Sequence, residues 1–336
     1  EFLSLDIMAR TRAISLEIKT DALVGKDKDR FDLDFIKEID INFEDLEFID
    51  NKDIEKFDKD YMPYNFSYCF KVKSSDQVLL ANIQNKKINL LDEAEIRDQI
   101  ITPLNKEQLF FSNAIINHFY NVLVVEAKAG SGKTLLALSG ALKLVRQKEY
   151  QKIIYIRNSI ESLDKGEDVG YLPGLEEKFR IYNHPLMDSL DYIIRSEHKR
   201  KRNKKATDAI FTELEDSEVI ARREQMITNY GIETMWVGEM RGRTLSNSFI
   251  IIDEAQNMSN KTMQMVLSRI DSSCKVVILG SNKQIDNFYV NKYTNALTTL
   301  LKSTKNEENL VNIFAIKLQK VLRGPITEWA ENIFSK

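Results

Sequence analysis

Apolar residues fall in two kinds of stretch along this chain. From about residue 99 onward, short apolar runs alternate with helical periodicity. The runs are VLVV (122–125), KIIYI (152–156), TMWV (234–237), FIII (249–252) and KVVIL (275–279), and the clearest helical stretch is TLLALSGALKLV (134–145). Runs of this length without internal alternation predict strands buried on both faces. Their alternation with helices predicts an α/β fold, a parallel sheet covered by helices. Upstream the pattern is different. Residues 1–22 read as one apolar stretch and an amphipathic helix through Met8, Ile14, Leu16 and Ile18. Residues 23–60 are Asp-rich and predict a solvated linker with short helices. Residues 61–98 regain Tyr, Phe, Val and Ile. There YNFSYCFKVK and QVLLANI flank the turn-like SSD, which predicts a hairpin or small β-element. The expected organisation is therefore 1–22, a small terminal piece; 23–98, an acidic linker with a small β-element; and 99–336, the α/β domain.

Composition changes this picture little. The 336 residues are 43% hydrophobic and 29% charged, which excludes wholesale disorder. Two distant cysteines, Cys69 and Cys274, exclude a disulfide framework and predict a reducing, intracellular and hence cytoplasmic setting. Three histidines, His118, His184 and His198, argue against a histidine-rich metal site. No run of 18 apolar residues occurs, so no membrane span is expected. The start, EFLSLDIMAR, lacks the basic and apolar regions of a signal peptide and lacks Met, which suggests a piece of a larger protein. Charge is uneven. Asp21–Asp60 carries 15 acidic and 7 basic residues, leaving +5 for the rest of a chain whose total is −3. A mildly basic body suits phosphate-bearing partners without requiring them.

Five motifs carry chemistry. AKAGSGKT (127–134) follows a strand and opens a helix, the context a phosphate-binding P-loop needs. Gly130 and Gly132 let successive N–H groups curl toward phosphate oxygens, and the helix N-terminus adds its positive end. Ala129, Gly130, Ser131, Gly132, Lys133 and Thr134 form the expected nucleotide cradle. Lys133 faces the β- and γ-phosphates, and Thr134 offers a hydroxyl to Mg²⁺. Ala127 stands where the consensus has glycine, so some change of loop geometry is expected. FIIIDEAQ (249–256) puts Asp253 and Glu254 at the C-terminal end of a strand, where parallel α/β sheets bind ligands. Asp253 is the expected metal ligand, and Glu254 the group that accepts a proton from, or orients, the attacking water. VVILGSNKQID (276–286) presents Gln284 as a candidate γ-phosphate sensor. PLNKEQ (103–108) presents Gln108, which can read the edge of adenine. The fifth set is arginines: Arg157, Arg241, Arg243, Arg269 and Arg323. Any one of them could stabilise transition-state charge on a γ-phosphate, and spacing does not choose among them.

Together these segments resemble the PhoH-like ATPase family, related to superfamily 1 helicases. The resemblance runs through AKAGSGKTLLAL, GYLPGLEEK (170–178), RGRTLSNSFIIIDEAQNM (241–258), LSRI (267–270), GSNKQIDN (280–287) and VLRGPITEWAE (321–331). It implies a RecA-like P-loop domain that hydrolyses ATP with Mg²⁺. It also implies the adenine role for Gln108, the sensor role for Gln284 and a phosphate-contacting role for Arg323. It implies a homo-oligomer as well, often a hexameric ring. Ser281 stands where the family usually has an aspartate. LDIMARTRAISLEIKTDAL (5–23) is similar to the tail of a PIN nuclease domain, as in PIN–PhoH-like fusions linked to RNA unwinding and cleavage. Asp6 falls at a metal-binding position of such domains, but one carboxylate cannot make a nuclease.

The expected function is Mg²⁺-dependent ATP hydrolysis coupled to RNA binding or unwinding. RNA would cross Arg157, the 241–243 stretch or the basic HKRKRNKK (198–205), for which a plain solvated surface is the other reading. Two alternatives stand beside it: a nucleotide-gated oligomeric interaction module with slow turnover, and a small-molecule P-loop kinase.

Overall fold

The computed structural model describes residues 2–4, 12–13, 15–16, 18, 20–22, 33–46, 48–73, 75–157, 183–203, 213–240, 242–287, 289–306, 309–322 and 324–334. The chain divides into two compact units, Glu1–Leu33 and Asp34–Lys336. In the first, β1 (Phe2–Ser4) and β2 (Thr20–Ala22) pair in parallel. The second unit holds two sheets.

The smaller sheet has the order β3 (Ile36–Ile41), β4 (Ser67–Val72), β5 (Val78–Gln84), β6 (Lys87–Leu90). The β4–β5 pair is the hairpin expected from the alternation. Strand β3 lies where the sequence predicts a solvated linker. Its sequence, IKEIDI, reads as charged because much of the strand is solvated. Two of its charges are nevertheless paired: Lys37 with the buried Asp58, and Glu38 with Lys71 and Lys106. The apolar core under it (Ile41, Ile49, Ile54, Tyr68, Phe70) draws in residues from the same acidic stretch. The short helix α1 (Glu93–Arg97) leads out of this sheet.

The larger sheet positions the site. Helix α2 (Lys106–Ile116) precedes β7 (Val122–Ala127). Next come α3 (Lys133–Arg146), β8 (Lys152–Arg157), α4 (His184–Asn203), α5 (Asp216–Asn229), β9 (Ile232–Trp236) and β10 (Ser248–Asp253). Then follow α6 (Asn260–Leu267), β11 (Lys275–Gly280), α7 (Ala296–Ser303), β12 (Ile313–Leu318) and α8 (Pro325–Phe334). The strand order is β12-β7-β11-β10-β8-β9, and every pairing is parallel. The expected α/β architecture is present, a parallel sheet covered by helices. The five apolar runs fall in or across the boundary of strands β7 to β11. Strand β12, IFAIKL, adds an edge that the run pattern does not announce. All six residues of β10 and of β11 are buried, as strands covered on both faces require.

One face of the sheet is covered by α2 to α5. Leu123, Val125, Phe249, Ile251, Val277, Leu279 and Phe314 from the strands join Phe110, Ile115, Leu138, Leu142 and Leu190 from the helices in one cluster. Helices α2 and α3 cross closely there. A Cβ on Gly140 would lie 2.3 Å from Cγ2 of Ile115. Lys275, the first residue of β11, is itself buried. Its ammonium donates to the carbonyls of Ala114 (2.9 Å) and Asn117 (2.7 Å) at the end of α2. The last carbonyls of a helix have no partner within it, and a cation there suits the helix dipole. Burial still pushes the Lys275 ammonium down to about 7.

Two outcomes follow. Gly140→Ala, ordinarily a gain in helix propensity, should instead destabilise the fold by about 1–3 kcal/mol in urea denaturation. Ile115→Ala in the same chain should relieve part of that loss. The second concerns pH. Between about pH 7 and 10 the unfolded chain keeps the Lys275 proton that the folded chain has shed, so stability rises with pH. The stability of the native chain relative to Lys275→Met should therefore climb across that window. The slope is at most about 1.4 kcal/mol per pH unit, read by denaturation at stepped pH.

Candidate nucleotide site

Because the strands are parallel and β7, β11, β10 and β8 are adjacent, their C-terminal ends form one row. The row brings together Ala127, Gly280, Asp253 and Arg157 with the loops that follow each.

The P-loop begins at the end of β7. Ala127 is buried in ordinary strand conformation opposite Leu318, so its Cβ is accommodated and no glycine is needed there. Glycine is needed further on. Gly130 and Gly132 take φ of +71° and +82°, and a Cβ on Gly132 would lie 3.2 Å from Nε2 of Gln108. Gln108, buried on α2, buttresses the loop. Its Nε2 donates to the Ser131 carbonyl (2.9 Å) and its Oε1 accepts from the Leu104 N–H (2.8 Å). From the other side the Leu322 N–H donates to the Gly130 carbonyl (2.9 Å). Neighbouring Glu107 accepts from the Gln319 N–H (2.7 Å), so one turn of α2 holds both the P-loop and the chain after β12. With its carbonyls tied outward, the loop leads directly into α3. The first N–H groups of α3 have no intrahelical partner and form an anion site.

Asp253 is 2% exposed, and its carboxylate is fully engaged. Oδ2 accepts from the Thr134 hydroxyl (3.1 Å) and from the Tyr155 hydroxyl (2.8 Å), and Oδ1 accepts from the Glu254 N–H (2.9 Å). Burial, then the Asp253 charge, hold the Tyr155 phenol far above its ordinary range, so it stays a donor. Tyr155 has no role in the sequence reading. Its one signal is a hydroxyl in the otherwise apolar run KIIYI.

Glu254 adopts φ +58°, in the left-handed region that an ordinary side chain enters only at a cost of about 1–3 kcal/mol. Its Oε2 accepts from Gln256 Nε2 (2.6 Å), and its Oε1 lies 3.7 Å from Arg157 Nη2. Gln256 is fully buried and carries three bonds. Besides Glu254, its Nε2 reaches the Gln284 carbonyl (2.7 Å), and its Oε1 accepts from the Ser281 N–H (2.9 Å). A Cβ on Gly280 would lie 2.6 Å from that Oε1, which explains the glycine there. Asn257 continues the tether. Its Oδ1 accepts from the Asp286 N–H (2.9 Å), and its carbonyl accepts from Asn287 Nδ2 (2.9 Å). Gln256 and Asn257, like Tyr155, have no role in the sequence reading, although DEAQN stands in plain view. The side chain of Gln284 is exposed, and the backbone holds its place.

The structure thus gathers Gln108, Ala129–Thr134, Asp253, Glu254 and the Gln284 segment at one sheet edge. Arg157 joins them. Arg269 does not. Its carbonyl accepts from the Leu245 N–H, ahead of the start of β10 and so at the opposite edge. Arg241, Arg323, Asp6 and GYLPGLEEK lie outside the described residues. A cleft of about 810 Å³ opens beside the P-loop, bounded by Ile100–Leu104, the first turn of α3 and one face of α4.

A family model described as PhoH-like protein matches residues 100–335. Protein PhoH2 of Bacillus subtilis is 29% identical over 209 residues, covering 62% of this chain and 42% of that protein. A PhoH-like protein of Mycobacterium leprae is 35% identical over 159 residues, covering 47% and 38%. The chain thus spans less than half the length of these relatives. Among solved structures, the Pif1 helicase from Candida albicans aligns over 67% of this chain and 42% of its own, with 16% identity and a TM-score of 0.31. With the family model matching well over half of its residues, the chain belongs to the PhoH-like protein family.

Proposed function

We propose that the chain binds ATP with Mg²⁺ and hydrolyses it, coupled to the binding or unwinding of single-stranded RNA. The observation that carries the ATPase reading is the meeting of Thr134 and Asp253 at the foot of the P-loop, with Glu254 on the next residue. The donors there are oxygens, one hydroxyl and one carboxylate. Among the described residues no cluster of three His, Cys, Asp or Glu side chains could hold a metal alone. That set fits Mg²⁺, which is commonly held by one or two carboxylates together with substrate phosphates and water. Bound there, the ion would neutralise charge on the β- and γ-phosphate oxygens.

The chain's own groups do the rest. The P-loop amides and Lys133 hold the triphosphate. Tyr155 fixes Asp253 against Thr134. Glu254 accepts the proton of the attacking water, and Gln256 sets its carboxylate. Because the same Gln256 amide grips residues 281 and 284, a γ-phosphate near Gln284 and the state of Glu254 are mechanically linked. Arg323 would contact phosphate, in trans if the chain assembles as a homo-oligomeric ring.

For RNA, Arg157 supplies a cation at the same edge. Tyr289 and Tyr293 are exposed just beyond Gln284, with Lys292 Nζ 5.0 Å from the Tyr293 ring centre. Aromatic faces beside cations suit unpaired bases. Residues 1–22 would be the tail of a PIN-type nuclease partner. The setting would be cytoplasmic, in keeping with two free, buried cysteines. A second reading, a nucleotide-gated interaction module with slow turnover, draws on the restraint of Glu254 by Gln256 and Arg157.

Phosphate release measured with and without single-stranded RNA tests the pair of readings. RNA should raise turnover, and Lys133→Ala should abolish it. Hydrolysis indifferent to RNA would favour the gated module. A second test separates chemistry from binding. Glu254→Gln should lower kcat by about 10²–10⁴-fold with ATP affinity kept. Gln256→Ala should lower kcat by a smaller factor, also with little change in KM. Equal loss of affinity in both variants would mean that the pair only supports the fold.

A further inference from the structure

The basic stretch beginning at His198 reads in sequence as solvated surface or RNA contact. In the structure its first members lie on α4, and Lys199 and Arg200 line the cleft beside the P-loop. Helix α4 buries Leu186, Leu190, Ile193 and Ile194 against the core and turns Asp188, Tyr192 and Lys199 the other way. Arg200 fastens this wall. Its guanidinium donates to the Gln99 carbonyl (2.6 Å) and to Asp98 Oδ1 (2.7 Å), just before the Ile100–Leu104 segment that forms the facing wall.

Two large side chains remain exposed in this cleft, Tyr192 at 57% and Leu104 at 70%. A single exposed apolar group on a surface needs no explanation. Here an aromatic ring and a leucine line one cleft that also holds Gly130–Thr134, and its volume of about 810 Å³ is in the range of small-ligand sites. Of the charged side chains that α4 presents to the cleft, Asp188 lies one turn from Tyr192, and the cations Lys199 and Arg200 lie further along the helix. The Asp188 carboxylate would repel phosphate oxygens and can only accept hydrogen bonds. The donors on a nucleotide are the ribose hydroxyls and the exocyclic amine of the base. The Asp188–Tyr192 part of α4 is therefore suited to the nucleoside, and the P-loop to the phosphates. Gln108 has both ends of its amide engaged by Leu104 and Ser131, so it braces the facing wall.

We infer that α4 forms the nucleoside-binding wall of the cleft, with Tyr192 stacking on the base of the bound triphosphate across from Leu104. This rests on the ATP reading above. Calorimetric titration with AMP-PNP and, separately, with inorganic tripolyphosphate, both with Mg²⁺, tests it. Tyr192→Ala should weaken AMP-PNP about tenfold and leave tripolyphosphate unchanged, and Tyr192→Phe should bind both like the native chain. Lys133→Ala should weaken both ligands. Unchanged AMP-PNP affinity in Tyr192→Ala would overturn the inference, as would parallel loss of both ligands. A native chain that binds neither ligand would overturn the ATP reading itself.

Discussion

A carboxylate taken out of water must have its charge and its lone pairs satisfied, and Asp253 meets that demand with groups from three separate parts of the chain. Thr134 comes from the start of α3, Tyr155 from the adjacent strand β8, and the third donor is the Glu254 backbone. Each bond fixes the position of something else. The Thr134 bond sets the P-loop helix against β10. The Tyr155 bond keeps the β8 end, and with it Arg157, in line with the acid residues. The Glu254 bond goes with the left-handed turn that aims the second carboxylate. Removing the Asp253 charge would leave two hydroxyls and a strained turn without their common partner.

Gln256 extends this arrangement from one strand end to the next. A buried amide can donate twice and accept twice, and Gln256 spends its capacity on Glu254, Ser281 and Gln284. Two of these bonds are to backbone groups, the Gln284 carbonyl as acceptor and the Ser281 N–H as donor. The side chain at 281 is therefore not what connects the Gln284 segment to the acid pair. A serine there keeps the connection that an aspartate would have supplemented.

What could be read in the sequence was whatever is written in consecutive residues. The P-loop and DEAQ are each a few residues long, and their flanking apolar runs locate them on strands that must be buried on both faces. Strand β3 was hidden because two of its charged residues find partners 20 to 70 positions away, which a local pattern cannot reveal. The brace by Gln108 joins residues 23 apart, and the Tyr155–Asp253 bond joins residues 98 apart. Only the sheet order brings such pairs together. The basic cluster at 198–205 was legible as charge but not as position, because one face of α4 decides which of its residues meet the cleft.

Ala127 has a consequence for how such proteins are recognised. Its place in the structure is the last residue of a strand, paired with Leu318 and in ordinary extended backbone. The demand for a residue without a side chain begins only at Gly130. The first glycine of the consensus is thus not demanded by the backbone of this chain. A pattern search that insists on it will pass over this chain, and one anchored on the later glycines, the lysine and the hydroxyl will keep it.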